Sequence, residues 1–315
     1  MRLFTILLGH LKTKESLSDM RTLDLFAGCG GMSLGFQLEN FSIVEAHDNW
    51  KPAVDCYTQN FDHPIFMTNL SEYQSILSQL KECSPDLIIG GPPCQDFSHA
   101  GKRVEAERAD LTTTFALIIS SLKPKYFVME NVERCAKSNA YRQCREILKS
   151  ANYGLTEVVL NAARCGVPQR RKRFFSIGIL GGIDGFLNEL IDENLSAKEM
   201  TLRDYFHESL GLEHYYRHPR NYNRRGIYSI DEPSPTVRGV NRPVPGGYKG
   251  HHGDPVKKSA DLRPLTTKER SMIQTFPADF ILPSTKTASE QLIGNAVPVN
   301  MARFVAKCLR EYIKS

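Results

Sequence analysis

Short apolar runs closed by glycine, proline or an acid recur through the first half of the chain, each followed by residues spaced for a helix. Thr22 to Phe26, Ile43 to Ala46, Leu87 to Ile89 and Tyr126 to Met129 read as buried strands. Helices are predicted from near Met32 and Ser33, from Pro52 to Asn60, and from about Leu111 to Leu122. Two further strand-like segments, Thr156 to Leu160 and Arg173 to Ile179, follow. Strands alternating with helices predict an α/β fold with a doubly wound, mostly parallel sheet. At the far end Met301, Phe304, Val305, Cys308, Leu309 and Tyr312 recur at helical spacing, so a last helix is expected to dock on the large domain.

From Gly181 the texture changes. Residues 181–213 carry eight acids against two bases, and residues 214–258 carry nine Lys/Arg against three Asp/Glu. In that second window Tyr215, Tyr216, Tyr222, Tyr228 and Tyr248 are interleaved with Arg217, Arg220, Arg224, Arg225, Arg238 and Arg242. Five prolines and five glycines between Asp231 and Pro255 exclude long helices there. The expected division is an N-terminal extension over 1–20 with no assigned role, a large domain over 21–182 plus 286–315, and a smaller loop-rich domain over 183–285.

Composition narrows the classes. A chain of 315 residues can bury a large core and a second lobe, and its net charge of +5 permits a nucleic-acid partner without demanding one. The basic window alone has an excess of six positive charges, so cationic surface is concentrated there. Eight cysteines stand singly, with no CxxC pair and no Cys/His spacing for zinc, which fits free thiols in a reducing, cytoplasmic setting and no metal. No apolar run approaches the ~20 residues of a membrane span. MRLFTILLGH lacks a small-residue cleavage site, so no secretory signal is expected, and Met20 offers an alternative start.

The candidate chemistry begins at DLIIGGPPCQDFS, Asp86 to Ser98, where two glycines end a strand and two prolines stiffen the backbone before Cys94. A core cysteine needs neither feature. DLFAGCGG, from Asp24, is a strand, glycine turn and helix start that suits a nucleotide-like ligand, because backbone N–H groups point outward at such a turn. It is not the dinucleotide fingerprint, since position 33 is serine. Asp48, at the end of the second strand, either accepts hydrogen bonds from ribose hydroxyls or caps the next helix. Glu130 ends another strand, at the edge where open α/β sheets hold ligands. In QRRKR, strand alternation puts Gln169, Arg171 and Arg173 on one face and Arg170 and Lys172 on the other.

GGPPCQDFS resembles the nucleophile loop of the DNA (cytosine-5) methyltransferases, with Asp96 where glycine is usual. DLFAGCGG, the ENV of Glu130 to Val132, QRRKR, RPLTTKERSMIQTFPADF and QLIGNAVPVN resemble further motifs of that family, in its order, over about residues 21–315. The resemblance implies the S-adenosylmethionine-dependent methyltransferase fold with a target-recognition domain. It implies methyl transfer to C5 of a flipped-out cytosine in a short duplex site, through a covalent Cys94–C6 adduct. Cys94, Glu130 and Arg171 are the implied catalytic residues. Glu130 would act at N3 and, in a dry pocket, keep its proton more readily than in water; Arg171 would bond the base O2.

S-adenosylmethionine, leaving as S-adenosylhomocysteine, would be held by Phe26, Ala27, Gly28, Cys29, Gly30 and Gly31. Asp48, Asn49, Asn69, Leu70, Pro93, Leu111, Asn295 and Ala296 complete that implied set. Double-stranded DNA would meet Ser98, Gln169, Arg173, Arg224, Arg225, Arg238 and Arg242, with the basic window in the groove. The implied setting is bacterial, the chain a monomer, and its partner a restriction endonuclease acting on the same site. Three other readings stand beside it at this point: a tRNA cytosine-5 methyltransferase, a dinucleotide-dependent oxidoreductase suggested only by the glycine turn, and a non-catalytic DNA-binding relative, against which Cys94, Glu130 and Arg171 speak.

Overall fold

A computed structural model describes residues 19–93, 110–219, 221, 223–259 and 261–315. Cys94, Ser98, Arg220 and Tyr222 lie outside the described residues. In chain order the first half gives β1 (Arg21–Leu25), α1 (Gly31–Gln37), β2 (Ser42–Asp48), α2 (Lys51–Thr58), β3 (Ile65–Met67), α3 (Leu77–Glu82) and β4 (Leu87–Gly90). It continues through α4 (Leu111–Leu122), β5 (Tyr126–Val132), α5 (Asn139–Ser150), β6 (Tyr153–Asn161), β7 (Gln169–Arg170) and β8 (Lys172–Leu180). Seven of these strands form one sheet in the order β3-β2-β1-β4-β5-β8-β6. Pairing is parallel from β3 to β5, and β8 runs antiparallel to both β5 and β6.

The continuous apolar runs have the composition of strands covered on both faces. Leu87, Ile89, Tyr126 and Val128 enter one core, while Ile88, Phe127 and Met129 enter the other. The second core takes in Phe115, Ile118 and Ile119 of α4, with Tyr141, Cys144 and Leu148 of α5. The first takes in α1 and the last helix. That helix, α10 (Val299–Lys314), buries Met301, Phe304, Val305, Cys308 and Leu309. Residues of α10 therefore complete the layer over β4, β5 and β8, as its periodicity predicts.

Two expected boundaries move. Met20, assigned to the extension, is buried in the first core. Leu187 and Ile191, on and beside α6 (Asn188–Asn194), also belong to that core, so the change of lobe expected at residue 183 falls too early. The acidic stretch there is the solvent side of a helix whose apolar side lies on the large domain.

The smaller lobe comprises α7 (Leu202–Phe206), β9 (His214–Tyr216), β10 (Ile227–Ser229), β11 (Ser234–Pro235) and α8 (Thr267–Ile273). Leu202, Phe206, Tyr215, Ile230, Val237, Leu265 and Ile273 form its core with Ile293 of α9 (Lys286–Asn295). Strands β9 and β10 pair antiparallel, and β11 pairs parallel with β7, Ser234 against Gln169. The lobe is thus joined to the large domain through the segment that leads into β8.

Helices α1 and α10 touch at a glycine. A Cβ on Gly35 would lie 2.6 Å from the Ala302 Cβ and 2.7 Å from the Val299 carbonyl oxygen. Backbone and a helix-bound methyl cannot yield as a flexible side chain can. Gly35→Ala is expected to destabilise the fold by about 1–3 kcal/mol, as overpacking does, despite alanine's better helix propensity. Chemical denaturation would measure it, and a stabilised variant would refute the close packing.

Candidate active site

The carboxyl ends of β1, β2, β4 and β5 open into one cavity of about 530 Å³. The turn after β1 forms its floor. Phe26 takes φ 60°, and Gly28 and Gly30 take φ 58° and 87°, so the chain reverses within a few residues. Behind Gly30 stand the rings of Phe61 and Tyr57, and a Cβ there would lie 2.3 Å from the first. Only glycine fits that space and that backbone. Of the expected cofactor residues on this turn, Phe26, Ala27, Gly28, Cys29 and Gly31 line the cavity, and Gly30 shapes the turn beneath them.

Asp48 ties the glycine turn to the segment that enters α2. Its Oδ1 accepts from Trp50 N at 2.8 Å, at the start of α2, and its Oδ2 accepts from Gly28 N at 2.9 Å. The carboxylate ties the second strand's end to the glycine turn while lining the cavity with Asn49 and Trp50. Burial raises its pKa, and the backbone donors oppose that rise.

Pro93 lines the cavity and is the last described residue before Cys94. The loop is held from below: Asn131 Nδ2 donates to the Pro92 carbonyl at 2.9 Å. Gly90 passes so close to Leu25 that a Cβ would lie 2.5 Å from its carbonyl oxygen.

Across the cavity Glu130 meets Arg173, Oε1 to Nε at 2.8 Å, both side chains largely excluded from water. Burial raises the Glu130 pKa above the usual carboxylate value, with the charges of Arg173 and then Arg171 pulling it back. The expected alternation along QRRKR holds. Gln169 and Arg171 are buried and Arg173 half-buried, while Arg170 and Lys172 face out, Arg170 pairing with Glu199 at 2.7 Å.

The role expected of Arg171 needs correction. It is 1% exposed, and its guanidinium donates to the carbonyls of Val237 at 3.1 Å and of Gly294 and Ala296 at 3.0 Å each. Both terminal nitrogens are thus engaged beneath the cavity, while Nε has no hydrogen-bond partner among the described residues. The arginine that faces Glu130 within the cavity is Arg173, which the sequence reading had placed among DNA contacts. Gln169 is likewise fully buried, hydrogen-bonded to Gln274 at 2.7 Å and to Val237 N at 2.8 Å.

Asn69, Leu70 and Leu111 are not among the residues lining the cavity. The Asn69 side chain caps the short 3-10 helix that follows, accepting from Ser71 N at 3.2 Å and donating to Glu72 at 2.9 Å. Leu70 is buried in the second core. Asn295 and Ala296 do line it, beyond the end of α9.

Lining residues outside the expected site set include Asp24, Trp50, Asn131 and Val297. Asp24 left a signal, a carboxylate inside an apolar strand. It is 1% exposed; its Oδ2 accepts from Ser33 Oγ at 2.6 Å, and its Oδ1 has no partner among the described residues. Burial pushes its pKa up to about 7, against the Ser33 hydrogen bond.

A second concavity, of about 470 Å³, lies on the smaller lobe between Arg170, Arg217, Arg224, Arg225, Tyr228 and Arg238. Arg225 is braced by Glu232 and stacks 4.2 Å over the Tyr228 ring. Arg224 is exposed in the same groove, and Arg242 is exposed nearby. His218, which titrates lower than usual through burial and the charges of Arg242 and Arg238, registers the local cationic field.

Residues 20–311 match the family described as C-5 cytosine-specific DNA methylase. The chain belongs to that family. It is 54% identical over 297 residues to the type II methyltransferase M.HindV of Haemophilus influenzae, covering 94% of this chain and 98% of that protein. Type II methyltransferase M.HgiDI of Herpetosiphon aurantiacus is 54% identical over 93% of this chain and 95% of its own length. Among solved structures, the S. pombe Dnmt2 methyltransferase superposes with a TM-score of 0.68 at 18% identity, over 93% of this chain and 98% of that one. That likeness shows the fold.

The chain is accordingly a DNA (cytosine-5) methyltransferase using S-adenosylmethionine, and neither the tRNA nor the oxidoreductase reading is retained. Among the described residues no group of three His, Cys, Asp or Glu side chains is arranged to hold a metal ion. Nor is any described helix long and apolar enough to cross a membrane.

Asp24 gives this methyltransferase a pH signature. An acid whose folded pKa is raised favours the native state at low pH, and that stabilisation fades as pH rises from the unfolded value of 3.8 through about 7. Asp24→Asn removes the dependence. Relative to the parent, that variant is expected to gain about 2–3 kcal/mol of stability between pH 5 and pH 8. Denaturation at both pH values checks it, and an equal difference at each would refute the raised pKa.

Proposed function

We propose that Cys94 adds to C6 of a cytosine turned out of its duplex, with Glu130 and Arg173 acting on the base from the opposite wall. The observation that carries this reading is the Glu130–Arg173 pair at 2.8 Å in the cavity that Pro93 also lines.

The residues present suit the methyl donor. A glycine turn with outward N–H groups fits its amino-acid end, and the orphan Oδ1 of buried Asp24 calls for a cationic partner such as an ammonium. Asp48 fits the ribose diol, with Trp50 and the Asn295–Ala296 segment beside it. When bound, S-adenosylmethionine supplies an electrophilic methyl group on sulfonium and leaves as S-adenosylhomocysteine.

The chain's own groups make cytosine reactive enough to take that methyl. Thiolate addition at C6 pushes electron density toward N3, where Glu130 gives its proton and leaves an enamine with nucleophilic C5. Arg173 holds the Glu130 carboxyl in place and, reaching O2, balances the negative charge grown there. After transfer C5 carries both methyl and hydrogen. Loss of that proton, for which we propose a water as base, restores the double bond and expels Cys94 as thiolate, and N3 returns its proton to Glu130. Turning the base out costs a few kcal/mol, which phosphate contacts from the basic groove would offset.

Within that groove Arg224 is the best candidate for reading a base edge, since it is exposed while Arg225 is braced by Glu232 and Tyr228. The similarity to type II methyltransferases supports a modification role beside a restriction endonuclease of the same specificity. We place the enzyme in the cytoplasm, acting as a monomer without a metal.

Bisulfite sequencing of DNA from expressing cells would give the base and its context. A duplex carrying 5-fluorocytosine at that site is expected to trap a stable adduct through Cys94 and none in Cys94→Ala; no adduct with the parent enzyme would defeat the reading. Glu130→Gln is expected to slow single-turnover methylation by ~10²–10⁴-fold. In the parent the rate should fall at alkaline pH, as Glu130 loses its proton through its raised pKa. The glutamine variant should lack that limb, and an unchanged profile would exclude Glu130 as the acid.

A further inference from the structure

We infer that Arg171 is a positioning residue that couples occupancy of the DNA groove to the cofactor edge of the cavity. The inference rests on the cavity and groove assignments above, but not on the covalent mechanism.

The observation is where this buried cation ends. Among the described residues no carboxylate pairs with it; its guanidinium bonds three backbone carbonyls from two segments far apart in sequence. Gly294 and Ala296 bracket Asn295 at the end of α9, where a cation also meets the negative end of the helix dipole. Asn295 and Ala296 line the cofactor cavity. The third carbonyl, of Val237, belongs to the smaller lobe, and the next residue, Arg238, lines the basic groove.

The strand leading to Arg173 holds Val237 from both sides. Gln169 Oε1 accepts its N–H at 2.8 Å while Arg171 takes its carbonyl. Gln169 also donates to Gln274, whose amide donates to the carbonyls of Ile293 at 2.6 Å and Ala296 at 3.1 Å. The Ala296 carbonyl is therefore shared by Arg171 and Gln274. Contact between the segments is direct as well: a Cβ on Gly294 would lie 2.2 Å from Gly239 N, and one on Gly239 would lie 3.2 Å from the Gln291 Cα.

Such packing does not deform gradually. If DNA shifts Val237 to Gly239, either the edge at Gly294 to Ala296 follows or a buried guanidinium loses a carbonyl with no water to replace it. Ligands on the two sides then bias one common arrangement, and linkage makes their effects on each other equal.

The test measures S-adenosylhomocysteine binding by calorimetry, alone and with the duplex identified by sequencing, for parent, Arg171→Lys and Gly239→Ala. In the parent the duplex is expected to tighten binding at least about fivefold, within the usual range of coupling between sites. Arg171→Lys keeps the charge but replaces the fork by a single ammonium, which cannot span all three carbonyls. Its coupling ratio should fall toward one. Gly239→Ala leaves Arg171 intact and wedges the segment from α9, so it should lower the ratio too; it decides the matter if the lysine variant fails to fold.

A merely structural arginine would weaken both ligands and leave the ratio intact, and that result would overturn the proposal. So would a parent ratio of one. Failure of the parent to bind S-adenosylhomocysteine either with or without DNA would instead strike the cofactor assignment, and the inference with it.

Discussion

A carboxyl held away from water beside a guanidinium is the constraint on which the rest of the structure depends. On the proposed mechanism Glu130 must remain protonatable in a cavity that also receives a polar base, and an unpaired buried carboxylate would be unstable there. Arg173 resolves the conflict in part: it bonds the carboxyl at 2.8 Å, yet burial still dominates and the pKa rises. The pair depends on strand direction. β8 runs antiparallel to β5, with Arg173 opposite Val132, so the first residues of β8 lie at the same edge as the last residues of β5. Had β8 joined the sheet parallel, its arginine would have opened at the opposite edge.

That reversal also brings the smaller lobe to the site. The segment entering β8 includes β7, and β7 carries β11 as its parallel neighbour. Within five residues the chain passes from Gln169, bonded to the recognition lobe, through Arg171, bonded to both lobes, to Arg173 in the cavity. Five prolines and five glycines after Asp231 leave that lobe few regular elements of its own. Its position depends instead on contacts with Gln169, Arg171 and α9.

Local patterns made much of this legible. The apolar runs marked β1, β2, β4 and β5 to within a few residues, because strands covered on both faces must be apolar throughout. Helix α4 fell on its expected span, since Asp110 caps it and Lys123 ends it in a left-handed conformation. What alternation could not give was depth. It put Gln169, Arg171 and Arg173 on one side of a strand, but nothing local says that carbonyls more than sixty residues later wait for the middle one. The family's order of motifs named the right stretch, and assigning its two inner arginines needed tertiary contacts. Asn69 shows a second gap of the same kind. The resemblance implied a cofactor contact there, and no local pattern announced that its side chain also caps the 3-10 helix that follows.

The two concavities differ in how their charges are held, and the difference follows from their tasks. In the cavity every carboxylate among the described wall residues is held by a partner: Asp24 by Ser33, Asp48 by two backbone N–H groups, Glu130 by Arg173. Chemistry on a single base tolerates little freedom, and preorganised dipoles act most strongly where water is excluded. The groove mixes restraint with latitude, Arg225 clamped between Glu232 and Tyr228 while its neighbour Arg224 reaches into solvent. A surface that must first find duplex DNA by charge, then discriminate one short sequence, needs both kinds of arginine. On the proposed reading, fixed cations would set the register on the phosphates, and an exposed one would test base edges without disturbing the wall where Glu130 and Arg173 meet.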